Sequence, residues 1–452
     1  MKKNVILLFA GVLSDTFSAR AQDVINTIAG DGTAAFGGDS GPASASKLNT
    51  PFAVAVNAAG DVFIADNGNN RIRKIDHATG NISTIAGTGT ATYSGDGGPA
   101  TAADIQGPRS IIVDDTGNIY FSDYANNRIR KIDTNGIIHL FAGVGGAPAF
   151  GGDEGPATAA HLGFAWGIAR DDSGNFYLAD QMNNRIRKID RNGIIHTIAG
   201  TGSAAFSGDS GLAVNAKIQF PTGVAVDRHG NIIVADNGNN RVRRIDTAGV
   251  ITTLAGSAHY GYYGDDSASV NAKLYYPREV CVDAANNIYI TDLNNYRIRV
   301  IDTAGIIHTA VGNGTEGFAG DGLLATDAEI DQATGVAVDH NGDIFIADNN
   351  NNRLRKVSKP FPFGVVDIAG QSAGDILVFP NPSIGSIVLT IRSGISEKVA
   401  VMVTDATGKI VETITVTTNR ATGVNLNAPP GTYFFTTNSG GHRISAKAII
   451  KK

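Results

Sequence analysis

Apolar and polar positions alternate along most of this chain in short runs, and each run is closed by Gly, Asn or Asp. A period of two marks half-buried β-strands, and the closing residues mark turns. The stretch around Arg241 shows the plan: TGVAVD at 222–227, a turn at Arg228-His229-Gly230, NIIVAD at 231–236, a turn at Asn237-Gly238-Asn239-Asn240, RVRRID at 241–246, a turn at Thr247-Ala248-Gly249, then VITTLAG at 250–256. This predicts four antiparallel strands.

The same plan recurs six times. Its clearest phrase is a dodecapeptide, ADNGNNRIRKID from Ala65, with relatives from Ser122, Ala179, Ala235, Thr291 and Ala347. The arginine that begins the third strand falls at Arg71, Arg128, Arg185, Arg241, Arg297 and Arg353, in steps of 57, 57, 56, 56 and 56. So even a period means one supersecondary unit repeated, and four strands per unit make a propeller blade. The chain therefore reads as all-β, with a six-bladed β-propeller over residues 22–358.

A ring needs its ends joined. Residues 24–30, VINTIAG, match a fourth strand with no preceding three, while the sixth unit ends with its third strand near Val357. The N-terminal strand is expected to complete the sixth blade and so leave no open sheet edge. Residues 364–370, GVVDIAG, are the competitor; Pro360 and Pro362 favour reading 359–374 as a linker.

Composition agrees with strands and turns. Gly makes up 56 of 452 residues, about 12% where about 7% is usual. A net charge of −5 offers no overall basic field for nucleic acid, and none is expected as a partner. The segment MKKNVILLFAGVLSDTFSARAQD has the charged, apolar, small-x-small order of a signal peptide ending at Ala21. Its apolar run is too short to span a bilayer, so residues 1–21 are expected to be removed, leaving no transmembrane segment in the mature chain. Cys281 is the only cysteine, which excludes an intramolecular disulfide. Its place in the strand pattern EVCVD reads as a small buried apolar residue.

The recurring phrases TIAG, GVAVD, GNIYxAD and NNRIRKID resemble NHL repeats of the long subtype found in bacterial exported proteins, over residues 24–358. The resemblance implies a six-bladed propeller and a broad range of functions, mostly protein or RNA binding, with a few related lyases. After the linker the pattern changes to DILVFPNPSIGSIVLTI, VMVTDATGKIVETITV and PPGTYFFTTNSGGHRISAKAIIKK. Alternating strands with frequent turns predict a small Ig-like β-sandwich over 375–452. Its phrases Phe379-Pro380-Asn381-Pro382, Asp405-Ala406-Thr407-Gly408-Lys409 and Pro430-Gly431-Thr432-Tyr433 resemble the type A sorting domain of the type IX secretion system. That implies the secretion machinery as a partner, and a chain secreted or held on the outer-membrane surface of a Gram-negative bacterium.

Residues present six times are most simply what every blade needs. Asp66, Asp123, Asp180, Asp236, Asp292 and Asp348 end the second strand and are expected to bind turn amides or the repeated Arg five residues on. A second six-fold Asp, at 39, 96, 153, 209, 265 and 321, sits in a long loop that continues toward one helical turn begun at Pro. It is read as a loop brace. Calcium is the weak alternative, because one Asp among glycines falls short of the oxygen ligands that ion takes, and no cofactor is expected.

The long loops are expected on one face, where repeat arrays commonly bind. At their ends the repeat breaks: Phe52, Arg109, Trp166, Thr222, Arg278 and Thr334 share one position, and Ala53, Ser110, Gly167, Gly223, Glu279 and Gly335 the next. Phe52, Arg109, Trp166, Arg278 and Glu279 are then expected to ring one channel mouth. Two readings stand: a site for a ligand with apolar and anionic parts, or a plug of residues that pair with each other. His139, His196 and His308 share a strand position, and no metal-spaced His cluster appears. An exported binding scaffold for a protein, glycan or small ligand is the leading expectation. A lyase or lactonase with an axial metal is the alternative, and RNA binding a third that export and acidic charge count against.

Overall fold

The structure, a computed structural model, describes residues 23–358 and, toward the C-terminus, residues 376–379, 386–391, 398–405, 407, 409–417, 421–425, 429, 431–439 and 442–450. The expected signal peptide and linker, and the competing strand at 364–370, lie outside the described residues. The chain divides into two compact units, Met1–Phe361 and Pro362–Lys452.

The first unit consists of six antiparallel sheets. Blade 1 runs from the innermost strand Pro51–Val56 through Val62–Asp66 and Arg71–Ile75 to the outermost strand Ile82–Ala86. The innermost strands of blades 2 to 6 are Pro108–Val113, Ala165–Arg170, Val224–Val226, Pro277–Val282 and Ala333–Val338. Each contacts its neighbours, and the sixth returns to the first, which makes the unit a closed propeller.

The closing strand is Val24–Ala29. It pairs antiparallel with Arg353–Ser358 as Val24 with Ser358 and Ile25 with Val357, and so forms the outermost strand of blade 6. The register follows from burial. Ile25 and Ala29 are solvent-free, and a one-residue slip would turn both outward.

The core lies between adjacent blades. Phe63 and Ile72 of blade 1 join Ile111, Ile119, Phe121 and Ile132 of blade 2 in one apolar cluster, and equivalent clusters fill other junctions. The second strand of each blade is buried along its whole length, because a propeller sheet has a neighbour on both faces.

Pro42, Pro99 and Pro156 each precede a single helical turn of three residues with 3-10 geometry, and the alanine that begins the turn is buried. The long loops also meet the sheets. Each folds back beside the outermost strand of its blade, as Gly155–Pro156 pairs with Ile195 and Ile194, and Gly211–Leu212 with Ile251 and Val250. Backbone groups of a long connection need partners, and the exposed sheet edge supplies them.

The second unit holds two antiparallel sheets, one of three strands and one of four. Lys398–Asp405 alternates exposed and buried positions, with Val399, Val401 and Val403 inward. This is the period-two pattern of a sheet with one face on a core.

Candidate functional site

Each dodecapeptide contains two arginines, and the structure separates their tasks. Arg73, Arg130, Arg187, Arg243, Arg299 and Arg355 are wholly buried. Arg73 is held between two carboxylates, 3.2 Å from Asp66 and 2.7 Å from Asp39, and the same pair of acids grips the buried Arg of the other five blades. The Asp that ends the second strand therefore pairs with the Arg two residues beyond the expected one. Arg71, Arg128, Arg185, Arg241, Arg297 and Arg353 lie where the hairpin opens. Arg71 donates to the carbonyls of Asn69 and Thr88 and stacks on Phe36 with its guanidinium carbon 3.7 Å from the ring centre.

Asp66 also accepts the amide of Asn49 at 2.8 Å and Nδ2 of Asn69 at 2.9 Å. Burial nevertheless pushes its carboxyl up to about 6. Loop Asp39 has both oxygens engaged, Oδ1 by Arg73 and Oδ2 by the Thr84 hydroxyl at 2.7 Å. Calcium at this carboxylate would have to displace an arginine. The buried Arg was missed in the sequence, although its RxR spacing puts it on the same strand face as Arg71.

At the channel mouth the repeat gives way to a cluster of rings and guanidinium groups. Phe52 and Trp166, from blades 1 and 3, meet edge to face at 5.4 Å. The guanidinium of Arg109 lies 3.7 Å from the ring centre of Tyr124, 4.1 Å from Trp166 and 4.9 Å from Phe52. Arg278, from the opposite blade, lies 5.2 Å from Trp166 and 5.5 Å from Phe52. Phe52 and Trp166 are buried, while both arginines keep partial exposure. Burial pushes Arg278 down to about 10, with Arg109 adding to the effect; Arg109 is lowered by its own burial.

Tyr124 belongs to this cluster and was not foreseen. In three blades its position is Asn, which donates to a proline carbonyl of the next blade, as Asn67 does to Pro108 at 3.1 Å. Tyr124 instead stacks on Phe164 at 4.8 Å and stands edge-on to Trp166 at 5.2 Å. The replacement of Asn by Tyr inside the dodecapeptide was the available signal.

Thr222 and Thr334 stand apart from the cluster's chemistry. Both are buried, and each donates its hydroxyl to a carbonyl of the following blade, of Arg278 and of Phe52, at 2.7 Å. At the neighbouring position Ala53, Ser110, Gly167, Gly223 and Gly335 are small, with Glu279 the exception, and blades touch there. A Cβ on Gly167 would come within 2.3 Å of the Thr222 carbonyl, and one on Gly223 within 2.8 Å of a Glu279 carboxyl oxygen. Burial raises Glu279 to about 8, against one opposing hydrogen bond from the Val280 amide.

The remaining candidates lie elsewhere. His139, His196 and His308 face carboxylates near the outer edge, His196 at 2.9 Å from Glu154 and His308 at 2.7 Å from Asp266. Among the described residues, no group of three or more His, Cys, Asp and Glu is arranged to hold a metal. Cys281 is half-buried against the cluster between blades 5 and 6, and burial pushes its thiol up, away from nucleophilic chemistry. A cleft of about 430 Å³ between blades 6 and 1 is lined by Asp76, His77, Asp339 and His340, in turns between strands and away from the mouth.

Comparison with known families agrees with the propeller architecture. The NHL repeat matches residues 48–75, 274–301 and 331–357, the Teneurin NHL domain matches 77–150 and 202–263, and the secretion system C-terminal sorting domain matches 377–451. The chain is an NHL-repeat propeller with a C-terminal sorting domain. Human Teneurin-4 is 31% identical over 280 residues, covering 54% of this chain and 10% of the relative; mouse Teneurin-1 is 26% identical over 394 residues, covering 78% and 14%. The NHL chain thus spans 10% and 14% of the length of these relatives.

Among solved structures, a protein of unknown function from Bacteroides thetaiotaomicron superposes with a TM-score of 0.55 at 18% identity, covering 74% of this chain and 76% of that one. An auxiliary nutrient binding protein from Bacteroides ovatus gives 0.55 at 14%, covering 75% and 77%. These likenesses concern the propeller fold. The sorting domain marks the NHL protein for secretion or the cell surface. Among the described residues no helix is long and apolar enough to cross a membrane, which says nothing of β-barrel spans.

Proposed function

We propose that this exported NHL propeller is a binding module whose ligand seats at the channel mouth on the loop face. The observation that supports it is the local loss of repetition. Thr holds the aligned position in blades 4 and 6, where it latches neighbouring blades, whereas blades 1, 2, 3 and 5 place Phe52, Arg109, Trp166 and Arg278 there. A ring needs no such cluster for closure, since hydrogen bonds between inner strands already serve that end, as from the Gly167 amide to the Thr222 carbonyl at 2.9 Å. Partly exposed Tyr124 and Phe164 form an aromatic rim beside it. The same residues also plug the channel, so the ligand is a small molecule, or a protruding group of a protein or glycan, that meets the plug from the loop side. The sorting domain supplies the contact with the secretion machinery.

Trp166 is the only tryptophan and therefore reports on the mouth alone. A ligand screen on the purified chain is expected to shift its fluorescence. The variant Arg109→Ala, Arg278→Ala, tested by calorimetry, is expected to lose the response while staying folded. Undiminished binding by that folded variant would remove the mouth from consideration.

A further inference from the structure

We infer that the mouth is an oxyanion receptor, with a carboxylate-class group of the ligand held between Arg109 and Arg278. This rests on the reading that the mouth is the binding site. The argument begins from a contrast within the chain. The six buried arginines of the repeat each have two aspartates within ion-pair range. Arg109 and Arg278 have no carboxylate within that range among the described residues, and the charge of Arg109 adds to the cost of keeping Arg278 protonated.

The rings do not substitute for the missing anion. An aromatic face engages the flat face of a guanidinium, whereas its N–H donors lie in the plane and require acceptors at the edge. Among the described residues, Nε of Arg109, Nε of Arg278 and Nε1 of Trp166 are all buried without an acceptor. Trp166 is itself only 5% exposed and its Nε1 is buried, so bulk water does not serve that donor. Three orphaned donors of one sign, on side chains that contact one another, are complementary to a compact group with several acceptor oxygens. Glu279 is adjacent in sequence to Arg278 but forms no ion pair with either guanidinium among the described residues; its own titration is governed by burial and the Val280 amide. The partly exposed Tyr124 and Phe164 would take a planar apolar body beyond the anion.

The test uses the full chain and three probes: phenylacetate, its neutral isostere phenylacetamide, and inorganic sulfate. Titration is followed by Trp166 fluorescence and by calorimetry. Phenylacetate is expected to bind saturably and at least tenfold more tightly than the amide, and sulfate to compete with it. Arg109→Gln and Arg278→Gln should each weaken phenylacetate at least tenfold, and Arg278→Lys should restore only part of the loss because ammonium lacks the planar fork. Equal binding of acid and amide, or full affinity in folded Gln variants, would overturn the oxyanion assignment and leave the mouth as a binding site. If no probe of either charge perturbs Trp166 in the folded chain, both readings fall.

Discussion

Arg73 donates from Nη1 to Asp66 at 3.2 Å, and both side chains are wholly excluded from solvent. The same guanidinium reaches Asp39, 34 residues earlier in the loop that leads into the blade. One buried cation thus ties a loop, a strand end and a hairpin together, and the tie occurs once per blade. Arg73→Met should destabilise the propeller by about 3–5 kcal/mol, since it leaves Asp66 buried without its partner. Arg71→Ala, at the hairpin mouth, should cost about 1 kcal/mol. Denaturant unfolding of the two variants checks the ranking.

Glu279 couples stability to pH. Its carboxyl stands near 8 in the folded chain against a usual value of 4.5. A folded value raised in this way means the contribution is complete below the unfolded value and is lost as pH rises through about 8. Glu279→Gln keeps an acceptor for the Val280 amide and removes the titration. Its gain over the parent should grow from pH 4.5 to 8 and reach on the order of 2 kcal/mol near neutrality. Thermal melts of both chains across that range decide it; parallel curves would contradict the assignment.

The uncompensated pair at the mouth should cost stability in the free protein. Replacing Arg278 by Met removes one of two neighbouring, partly buried charges and keeps the stem's packing. The free variant is expected to melt higher than the parent, by about 1 kcal/mol in free energy. A lower melting temperature would mean that contacts with the rings outweigh the repulsion.

One blade junction lacks a latch the others share. Asn70, Asn127, Asn184, Asn240 and Asn352 adopt left-handed backbone and accept an amide from the following blade, as Asn70 does from Gly107 at 2.9 Å. Tyr296 holds that place between blades 5 and 6 at φ 51°, a conformation costly for a bulky side chain, and its phenol reaches Glu316. Tyr296→Asn is expected to stabilise the ring by about 1 kcal/mol. Hydrogen exchange in the parent should be fastest at the Gln332 amide among the six equivalent positions.

Closure by the N-terminal strand has its own test. Removing residues 23–30 bares the edge of Arg353–Ser358. The truncated chain is expected to lose cooperative unfolding and to associate through that edge, which light scattering would register.

Much of this architecture was written in local pattern. Alternation set the strands, the dodecapeptide period set the six blades, and the unmatched strand VINTIAG pointed to the closure seen with Val357. These features depend on residues near one another in the chain or on a repeat that copies them. The register also exposed Phe52, Arg109, Trp166 and Arg278 as exceptions. What it could not supply was partnership across blades. That Asp66 binds Arg73 and not Arg71, that Thr222 and Thr334 spend their hydroxyls on neighbouring carbonyls, and that Tyr124 joins the cluster around Arg109 follow only when six blades converge on one axis. Burial and neighbouring charge belong to that convergence. Burial holds Glu279 near 8, and burial together with the charge of Arg109 lowers Arg278.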